Sequence, residues 1–191
     1  MRKYIYLFRH GQSYDNRDAI FSGWRDSPLT KTGIEQAKII ALALKDKKIE
    51  AAFHSCLSRS KDTLKEVLKF HPECRIIIED NRLIERSYGV LQGMSHYEFV
   101  KKYGFKKYKL IHRGYTAKAK NGESMKEVEK RVLSFIKDLI IFIKKNKVNV
   151  AISASGNSMR PFRRYFEKAT IKEMMSWEIP YDTYFEYSIK I

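Results

Sequence analysis

Short apolar runs alternate along this chain with segments that have helical periodicity. In the helical segments apolar residues recur every three to four positions, and Thr30 and Ser124 are suited to cap the first turns. The runs that indicate strands are Tyr4–Phe8, Ile49–Phe53, Arg75–Ile78 and Val148–Ser153. Strands that alternate with helices in this way predict a largely parallel sheet with helices on both of its faces.

The last segment has a different pattern, because apolar and polar residues alternate one by one from Thr183 to Ile191. This period is typical of a half-buried strand at the edge of a sheet. The helices are predicted over about Thr30–Lys45, after Ser58, over Ser124 to about Asn146, and from the capping boxes at Ser95 and Thr170. We therefore expect an α/β fold, a three-layer sandwich with a mostly parallel sheet and an antiparallel edge strand, in one domain over residues 1–191.

A lysine-rich stretch at about 94–122 interrupts the alternation and shows no obvious core-building periodicity. An insertion of this kind in a compact domain is usually a functional lid or a mobile loop. We call it the lid segment. The alternative is a solvated surface excursion without a function.

Composition narrows the class of protein. The 191 residues are 43% hydrophobic, which is enough for a substantial core, and no apolar run approaches the roughly 20 residues of a membrane span. The chain begins in a predicted strand without a signal-peptide pattern, so we expect a cytoplasmic protein. Cys56 and Cys74 are expected to be reduced, and the histidines lack metal-ligand spacing, so no metal is expected.

The net charge of +16 favours an anionic partner. Nucleic acid is one candidate, but the lysines are scattered over several predicted helix faces and no nucleic-acid motif accompanies them. Small anionic substrates account for the charge equally well. The expected partners are small anionic metabolites, phosphorylated ones among them, with neither nucleic acid nor membrane, and a homodimer is left open.

The first strand leads directly into Arg9, His10 and Gly11. A neutral imidazole can attack phosphorus, and a guanidinium can neutralise the phosphoryl oxygens. Gly11 is expected to let a bulky ligand approach the backbone. A lone buried histidine is more often structural than catalytic. Whether His10 is a nucleophile therefore depends on which residues lie near it in the fold.

Further polar residues follow the other predicted strands. Ligands bind beyond the carboxyl ends of parallel strands, where Ser55–Arg59 and Ser155–Arg160 are expected to meet His10. The stretch Leu83–Gly89 adds the carboxylate of Glu85. Arginines, a histidine and one acid in a single cleft suit phosphoryl transfer.

In the order and spacing of its motifs, the sequence resembles the histidine phosphatase superfamily, and within it the cofactor-dependent phosphoglycerate mutases. The resemblance covers nearly the whole chain. The matching blocks are Arg9-His10-Gly11-Gln-Ser13 with Asn16, Phe21-Ser22-Gly23-Trp24, Leu29-Thr30-x-x-Gly33, Ser55-x-Leu57-x-Arg59, Arg82 to Gly93, Gly122-Glu123-Ser124 and Gly156-Asn157-Ser158-Met159-Arg160.

The resemblance implies a ping-pong phosphoryl transfer that interconverts 2- and 3-phosphoglycerate, with 2,3-bisphosphoglycerate as the phosphoryl donor. His10 would become phosphohistidine, Arg9 and Arg59 would clamp the phosphoryl oxygens, and Glu85 would be the general acid and base. The alternative for Glu85 is a surface ion pair with Arg82 or Arg86. The implied substrate-binding residues are Ser13, Asn16, Ser22, Gly23, Tyr88, Arg113, Gly156 and Asn157, whereas Arg160 is expected to be structural.

One position departs from the family pattern. The second catalytic histidine of the family is expected at position 155, where this chain has Ser155. Because a neutral hydroxyl cannot supply a charged contact, we expect weakened activity. The lid segment is shorter than in long mutases, with His96 and His112 at basic positions, and no closing tail follows the edge strand. A phosphomonoesterase and a weakly active phosphometabolite-binding protein therefore remain alternatives.

Overall fold

One five-stranded sheet organises the computed structural model, which describes residues 1–191. The strands are β1 (Arg2–Arg9), β2 (Ala51–His54), β3 (Ile76–Glu79), β4 (Val150–Ala154) and β5 (Tyr184–Lys190). Their order is β3-β2-β4-β1-β5, and only β5 runs antiparallel to its neighbour. The mostly parallel sheet with an antiparallel edge strand is confirmed, with strand boundaries shifted by one or two residues.

Eight α-helices surround the sheet. They are α1 (Tyr14–Arg17), α2 (Lys31–Leu44), α3 (Ser58–Leu68), α4 (His96–Tyr103), α5 (Phe105–Arg113), α6 (Met125–Asn146), α7 (Gly156–Glu167) and α8 (Ile171–Ser176). The predicted caps are present, since the side chains of Thr30, Ser95, Ser124 and Thr170 each accept a backbone N–H of the following helix. The α7 helix was not predicted, because Pro161 lies inside it and obscures the pattern.

The alternation of side chains along β1 divides the core into two layers. Ile5 and Leu7 lie in one cluster with residues of α6 and α7, and Tyr6 and Phe8 lie in another with residues of α2 and α3. All four side chains are buried, and burial of a side chain of this size contributes about 1.5–3 kcal/mol. The sheet therefore lies between two helical layers, as the three-layer prediction required.

The topology brings distant parts of the chain to one edge of the sheet. The carboxyl ends of β1, β2 and β4 lie side by side, because these strands are parallel and adjacent. The antiparallel β5 starts at the same edge, where Tyr184 pairs with Phe8. The loop that precedes β5 consequently lies beside Arg9 and His10.

The lid segment has a small core of its own, although its sequence shows no obvious core-building periodicity. Phe99 of α4 and Ile111 of α5 are buried in a cluster with Phe21 and Tyr88. Each short helix contributes only one fully buried side chain to this cluster. One buried residue per helix produces no periodicity, so the sequence pattern could not reveal this core.

No helix of the chain is long and apolar enough to cross a membrane.

Candidate active site

His10 follows the last residue of β1, and its ring is buried, with a residue exposure of 1%. Its Nδ1 lies 2.8 Å from the carbonyl oxygen of Gly11, and the Nε–H of Arg59 points at its Nε2 from 3.2 Å. Nδ1 therefore carries the proton and Nε2 the lone pair, as a nucleophilic imidazole requires. Burial, followed by the charges of Arg59 and Arg9, holds the pKa of His10 well below its usual value. The ring is thus neutral at pH 7.

Arg59 is fixed in its position by the backbone opposite. It lies in the first turn of α3 and is buried, and its two Nη atoms donate to the carbonyls of Arg25 at 2.8 Å and Gly23 at 3.0 Å. Its third donor group, Nε–H, is the one that faces His10. A phosphoryl group that reaches the imidazole must therefore enter beside a cation held in place before binding.

Arg9 lies on the other side of this region, at the end of β1. Its Nη1 donates to the carbonyl of Ile179 at 2.8 Å, and its guanidinium lies 3.8 Å from the centre of the Tyr181 ring. A side chain at Gly156 would have its Cβ 3.3 Å from the Arg9 Nε, so glycine leaves room for the guanidinium at the start of α7. The loop before β5 and the start of α7 thus orient Arg9 together.

Three polar atoms in this region are buried and have no hydrogen-bond partner: Arg9 Nε, Ser22 Oγ and Ser155 Oγ. Buried polar groups are nearly always hydrogen-bonded. A phosphate offers several acceptor oxygens and can satisfy such donors together. Ser155 itself is fully buried at the junction of β4 and α7, where its N–H donates to Ser158 Oγ. These atoms fit an anionic ligand.

Glu85 supplies the carboxylate of the site. Its Oε1 accepts the N–H of Arg86 at 2.7 Å, and its Oε2 lies 3.5 Å from the N–H of Asn157. The proposed surface ion pair is absent, because Arg82 pairs with Asp80 and Asp138, and Arg86 donates to backbone carbonyls. Glu85 is 9% exposed and is available for proton transfer in the cleft.

Two connected cavities form the cleft. The inner cavity has a volume of about 90 Å³ and the outer one about 530 Å³, and both are lined by Arg9, Glu85, His112 and Asn157. The inner cavity is also lined by Asn16, Ser22, Gly23, Tyr88 and His96, among others. Arg113, Gly156, Arg160 and the loop residues Glu178 to Tyr181 complete the outer cavity. The cleft is therefore strongly basic, with Glu85 and Glu178 as its acids.

Gly11 has a different function from the one expected. A Cβ on Gly11 would lie 2.1 Å from the carbonyl oxygen of Gly33, and a Cβ on Gly33 would lie 2.1 Å from that of Gln12. The glycine therefore admits the first turn of α2, rather than a ligand. The Gly11 N–H also donates to Thr63 Oγ1 of α3 at 3.0 Å. Two helices thus hold the loop that carries His10.

His10, Arg59 and Ser155 are buried and line neither cavity, and the same is true of one further predicted residue. Ser13 is fully buried and lines neither cavity; its Oγ lies 3.0 Å from Oδ1 of Asn16 and so positions that side chain. The Nδ2 of Asn157 lies 3.4 Å from the hydroxyl of Tyr88, which faces the inner cavity. Gly23 serves through its carbonyl, which accepts from Arg59.

Some cleft residues were not predicted as site residues. Arg160, expected to be structural, lines the outer cavity and donates to Oδ1 of Asn157 and to the carbonyl of Trp177. Its spacing of three positions after Asn157 in α7 was the available signal. His96 and His112 line the inner cavity from the lid segment. Tyr181 had no such signal, since only the pairing of β5 with β1 brings it to Arg9.

The basic cleft across the carboxyl ends of parallel strands, in this sandwich, defines an α/β protein with the phosphoglycerate mutase-like fold. Residues 5–189 match the model of the histidine phosphatase superfamily (branch 1), and the chain belongs to that superfamily.

Similar proteins include phosphoglycerate mutases from bacteria and from yeast. The 2,3-bisphosphoglycerate-dependent phosphoglycerate mutase of Chlamydia abortus is 32% identical over 203 residues, covering 93% of this chain and 89% of that protein. The phosphoglycerate mutase of Schizosaccharomyces pombe is 35% identical over 180 residues, covering 92% and 84%. These relatives support an enzyme of the phosphotransferase and isomerase type.

Solved structures with the same fold include enzymes of both kinds. A mycobacterial glucosyl-3-phosphoglycerate phosphatase has a TM-score of 0.83 at 20% identity, covering 98% of this chain and 91% of that one. A phosphoglycerate mutase from Bacillus anthracis has a TM-score of 0.77 at 19% identity, covering 99% and 88%. At these identities the likeness concerns the fold alone.

Proposed function

We propose that this protein transfers phosphoryl groups through His10 and interconverts 2- and 3-phosphoglycerate, with 2,3-bisphosphoglycerate as the phosphoryl donor. The observation that carries the proposal is the buried contact of the His10 Nε2 lone pair with the Nε–H of Arg59, directly after Arg9, which lines the cleft and has an unpartnered Nε. The sequence identity to bisphosphoglycerate-dependent mutases supports the choice of substrate.

The side chains divide the chemistry among them. As the Nε2 of His10 forms its bond to phosphorus, the ester P–O bond breaks and Glu85 gives a proton to the leaving oxygen. In the reverse half-reaction Glu85 takes the proton of the acceptor hydroxyl, whose oxygen bonds to phosphorus as the N–P bond breaks. Arg9 and Arg59 stabilise the charge on the phosphoryl oxygens throughout.

The donor fits the residues of the cleft. Arg9 and Ser22, which line the inner cavity and have an unpartnered Nε and Oγ, would receive one phosphate there, and Arg113 and Arg160 would hold the second anionic group in the outer cavity. When bound, 2,3-bisphosphoglycerate supplies the phosphoryl group that primes His10. Ser155 offers a neutral hydroxyl where the family resemblance implies an imidazole, so we propose that transfer is slower than in relatives with a histidine there.

The test is to locate the phosphoryl group on the protein. The protein is incubated with 2,3-bisphosphoglycerate, digested, and analysed by mass spectrometry under alkaline conditions that preserve phosphohistidine. We expect an acid-labile phosphoryl adduct on His10, and its loss in His10→Asn. His54→Asn is a matched control, because His54 is also a buried histidine at the end of a strand, with its Nδ1 2.8 Å from the next carbonyl, whereas no arginine donates to its ring.

An adduct on another residue, or none together with no conversion of 3-phosphoglycerate in a coupled assay, would overturn the proposal. Tight binding of phosphoglycerate without turnover would instead indicate a phosphometabolite-binding protein.

Hydrolysis is the second candidate function, and the size of the outer cavity favours it. A cavity of about 530 Å³ at Glu85 and Arg9 has room for water beside a three-carbon substrate. Water that reaches the phosphohistidine would release phosphate, making the protein a phosphomonoesterase. The ratio of inorganic phosphate to 2-phosphoglycerate, measured in one reaction with 3-phosphoglycerate, separates the two: excess phosphate at all acceptor concentrations would favour hydrolysis.

A further inference from the structure

Two histidines from the lid segment meet over the inner cavity. His96 begins α4 and His112 lies in the last turn of α5. The centres of their rings are 5.1 Å apart, and the ring of Phe21 lies 4.4 Å from His96 and 6.3 Å from His112. Both line the inner cavity together with Arg9, whereas neither has an acidic partner. We call them the lid histidine pair.

The surroundings of the pair disfavour a proton in the free protein. Burial, followed by the charges of His96, Arg113, Arg160 and Arg86, lowers the pKa of His112 to about 3. Burial lowers the pKa of His96 as well. The charged and titratable groups that face the pair come from several elements and are Arg9, Glu85, Arg86, Tyr88, Tyr108, Arg113 and Arg160. Cations outnumber acids among them, so the pair is neutral at pH 7.

An anion in the inner cavity would change this balance. It would compensate the arginine charges that oppose protonation and would itself attract a proton to an adjacent imidazole. An opposite charge within about 4–6 Å raises a histidine pKa by about 1–3 units, and a phosphate dianion carries two. His96 is the favoured acceptor, because burial alone, and no neighbouring cation, lowers its pKa. Its Nδ1 lies 3.2 Å from the hydroxyl of Tyr108, which can accept or donate as the proton requires.

We propose that the lid histidine pair is a proton-accepting anion subsite, which takes up a proton when an anionic group of the phosphorylated substrate enters the inner cavity. The inference rests on the proposed function for the nature of the ligand. A lysine or arginine at these positions would hold its charge at every pH. A histidine pair instead makes affinity depend on pH, since each proton taken up strengthens binding by up to tenfold per pH unit as the pH falls.

Calorimetry measures this coupling directly. Binding of 3-phosphoglycerate to the full chain is recorded near neutral pH in buffers that differ in their ionisation enthalpy, and the slope of the observed enthalpy gives the number of protons exchanged. The same titration is made with His96→Gln and His112→Gln, and with His54→Gln as a buried histidine outside the cleft. Proton exchange by the ligand itself is common to all four proteins and cancels in the differences.

We expect additional proton uptake by the unmodified protein and His54→Gln, and its loss in at least one lid variant. Equal proton exchange in all four proteins would overturn the inference while leaving the proposed function intact. No binding of 3-phosphoglycerate to the unmodified protein would overturn the proposed function and the inference with it. Should a variant fold poorly, nitrogen chemical shifts of the imidazoles in the unmodified protein, with and without ligand, report the same protonation directly.

Discussion

Residue 155 is where this chain has a serine in place of the histidine that the family resemblance implies. The Ser155 side chain is fully buried, and its hydroxyl has no hydrogen-bond partner in the region of Arg9 and Gly156. A neutral hydroxyl can donate one hydrogen bond to a phosphoryl oxygen, but it brings no charge to oppose the charge that develops during transfer. His10, the proposed nucleophile, nevertheless contacts Arg59, and Arg9 is held by the carbonyl of Ile179.

Ser155→His should therefore accelerate phosphoryl transfer. An added cationic donor of this kind is worth on the order of 10²–10³ in rate. Steady-state assays with 3-phosphoglycerate and 2,3-bisphosphoglycerate measure the effect. Ser155→Gln is the matched control, because it adds similar bulk and a neutral donor, and it should gain far less. Equal rates for the two variants would show that charge at this position does not limit turnover.

The buried histidines also predict how stability depends on pH. His10 and His112 have lowered pKa values in the folded protein, so below about pH 6.5 the unfolded state binds more protons than the folded state. The free energy of unfolding should fall as the pH decreases from about 6.5 towards 5, by up to about 1.4 kcal/mol per pH unit for each residue. Urea unfolding at a series of pH values measures this slope.

His112→Gln removes one of these titrating groups and should make the stability less dependent on pH over the same range. A slope unchanged by the substitution would contradict the neutral state assigned to His112 in the folded protein.

Among the secondary-structure elements, α2 determines where the nucleophile lies. Its first turn packs so closely on the loop after β1 that neither Gly11 nor Gly33 has room for a side chain. The Thr30 hydroxyl accepts the N–H of Gly33 and caps the helix at this contact. The position of His10 thus depends on the packing of a helix whose own side chains do not line the cleft.

Gly33→Ala should disturb that packing. Its Cβ would lie 2.1 Å from the Gln12 carbonyl, so the helix or the loop must move, at a cost of about 1–3 kcal/mol in stability. We expect slower phosphorylation of His10 together with a lower urea midpoint.

Gly104→Ala is the contrasting variant for this prediction. Gly104 joins α4 and α5 with φ +82° and has no atom near its Cβ position, so alanine there strains only the lid turn. It should speed proteolysis within the lid segment without slowing phosphorylation of His10 to the same extent. The reverse ranking would show that α2 does not position the nucleophile.

The sequence predicted those features that residues close together in the chain determine. The strands and the capped helices were predicted, because periodicity and capping residues are local signals. His10, Arg9, Arg59 and Glu85 were identified from motifs; Arg9 and Glu85 line the cleft, whereas His10 and Arg59 are buried against each other beside it. Contacts that arise from packing had no local signal, namely the lid core around Phe21, the approach of α2 to Gly11, and Tyr181 beside Arg9.

Across the whole molecule the positive charge is uneven. Eight of the 38 basic residues, but only one of the 22 acidic residues, lie in the lid segment. Its lysines at 101, 102, 106 and 107 are exposed, and none of these four forms an ion pair. The charge is therefore concentrated beside the cleft, where it can attract anionic substrates over a distance of about one Debye length.

Catalytic efficiency should accordingly fall with salt. We expect kcat/KM for 3-phosphoglycerate to fall about tenfold between about 20 mM and about 300 mM KCl. Neutralising the four lysines with glutamine should flatten this dependence. Lys144→Gln with Lys145→Gln is the control, since the end of α6 leads into the amino end of β4, away from the cleft. The same salt slope in both proteins would contradict steering by the lid segment.

The place of β1 in the sheet has a consequence for biosynthesis. Of the five strands this one leaves the ribosome first, yet it pairs only with β4 and β5, which begin about 150 and 180 residues after it begins. Contacts between residues so far apart in the sequence form slowly, and they must wait for the later strands. The nascent chain therefore carries an unpaired apolar segment through most of its translation. Phosphate-binding competence should then arise abruptly, only when the last strand has emerged and its preceding loop can hold Arg9.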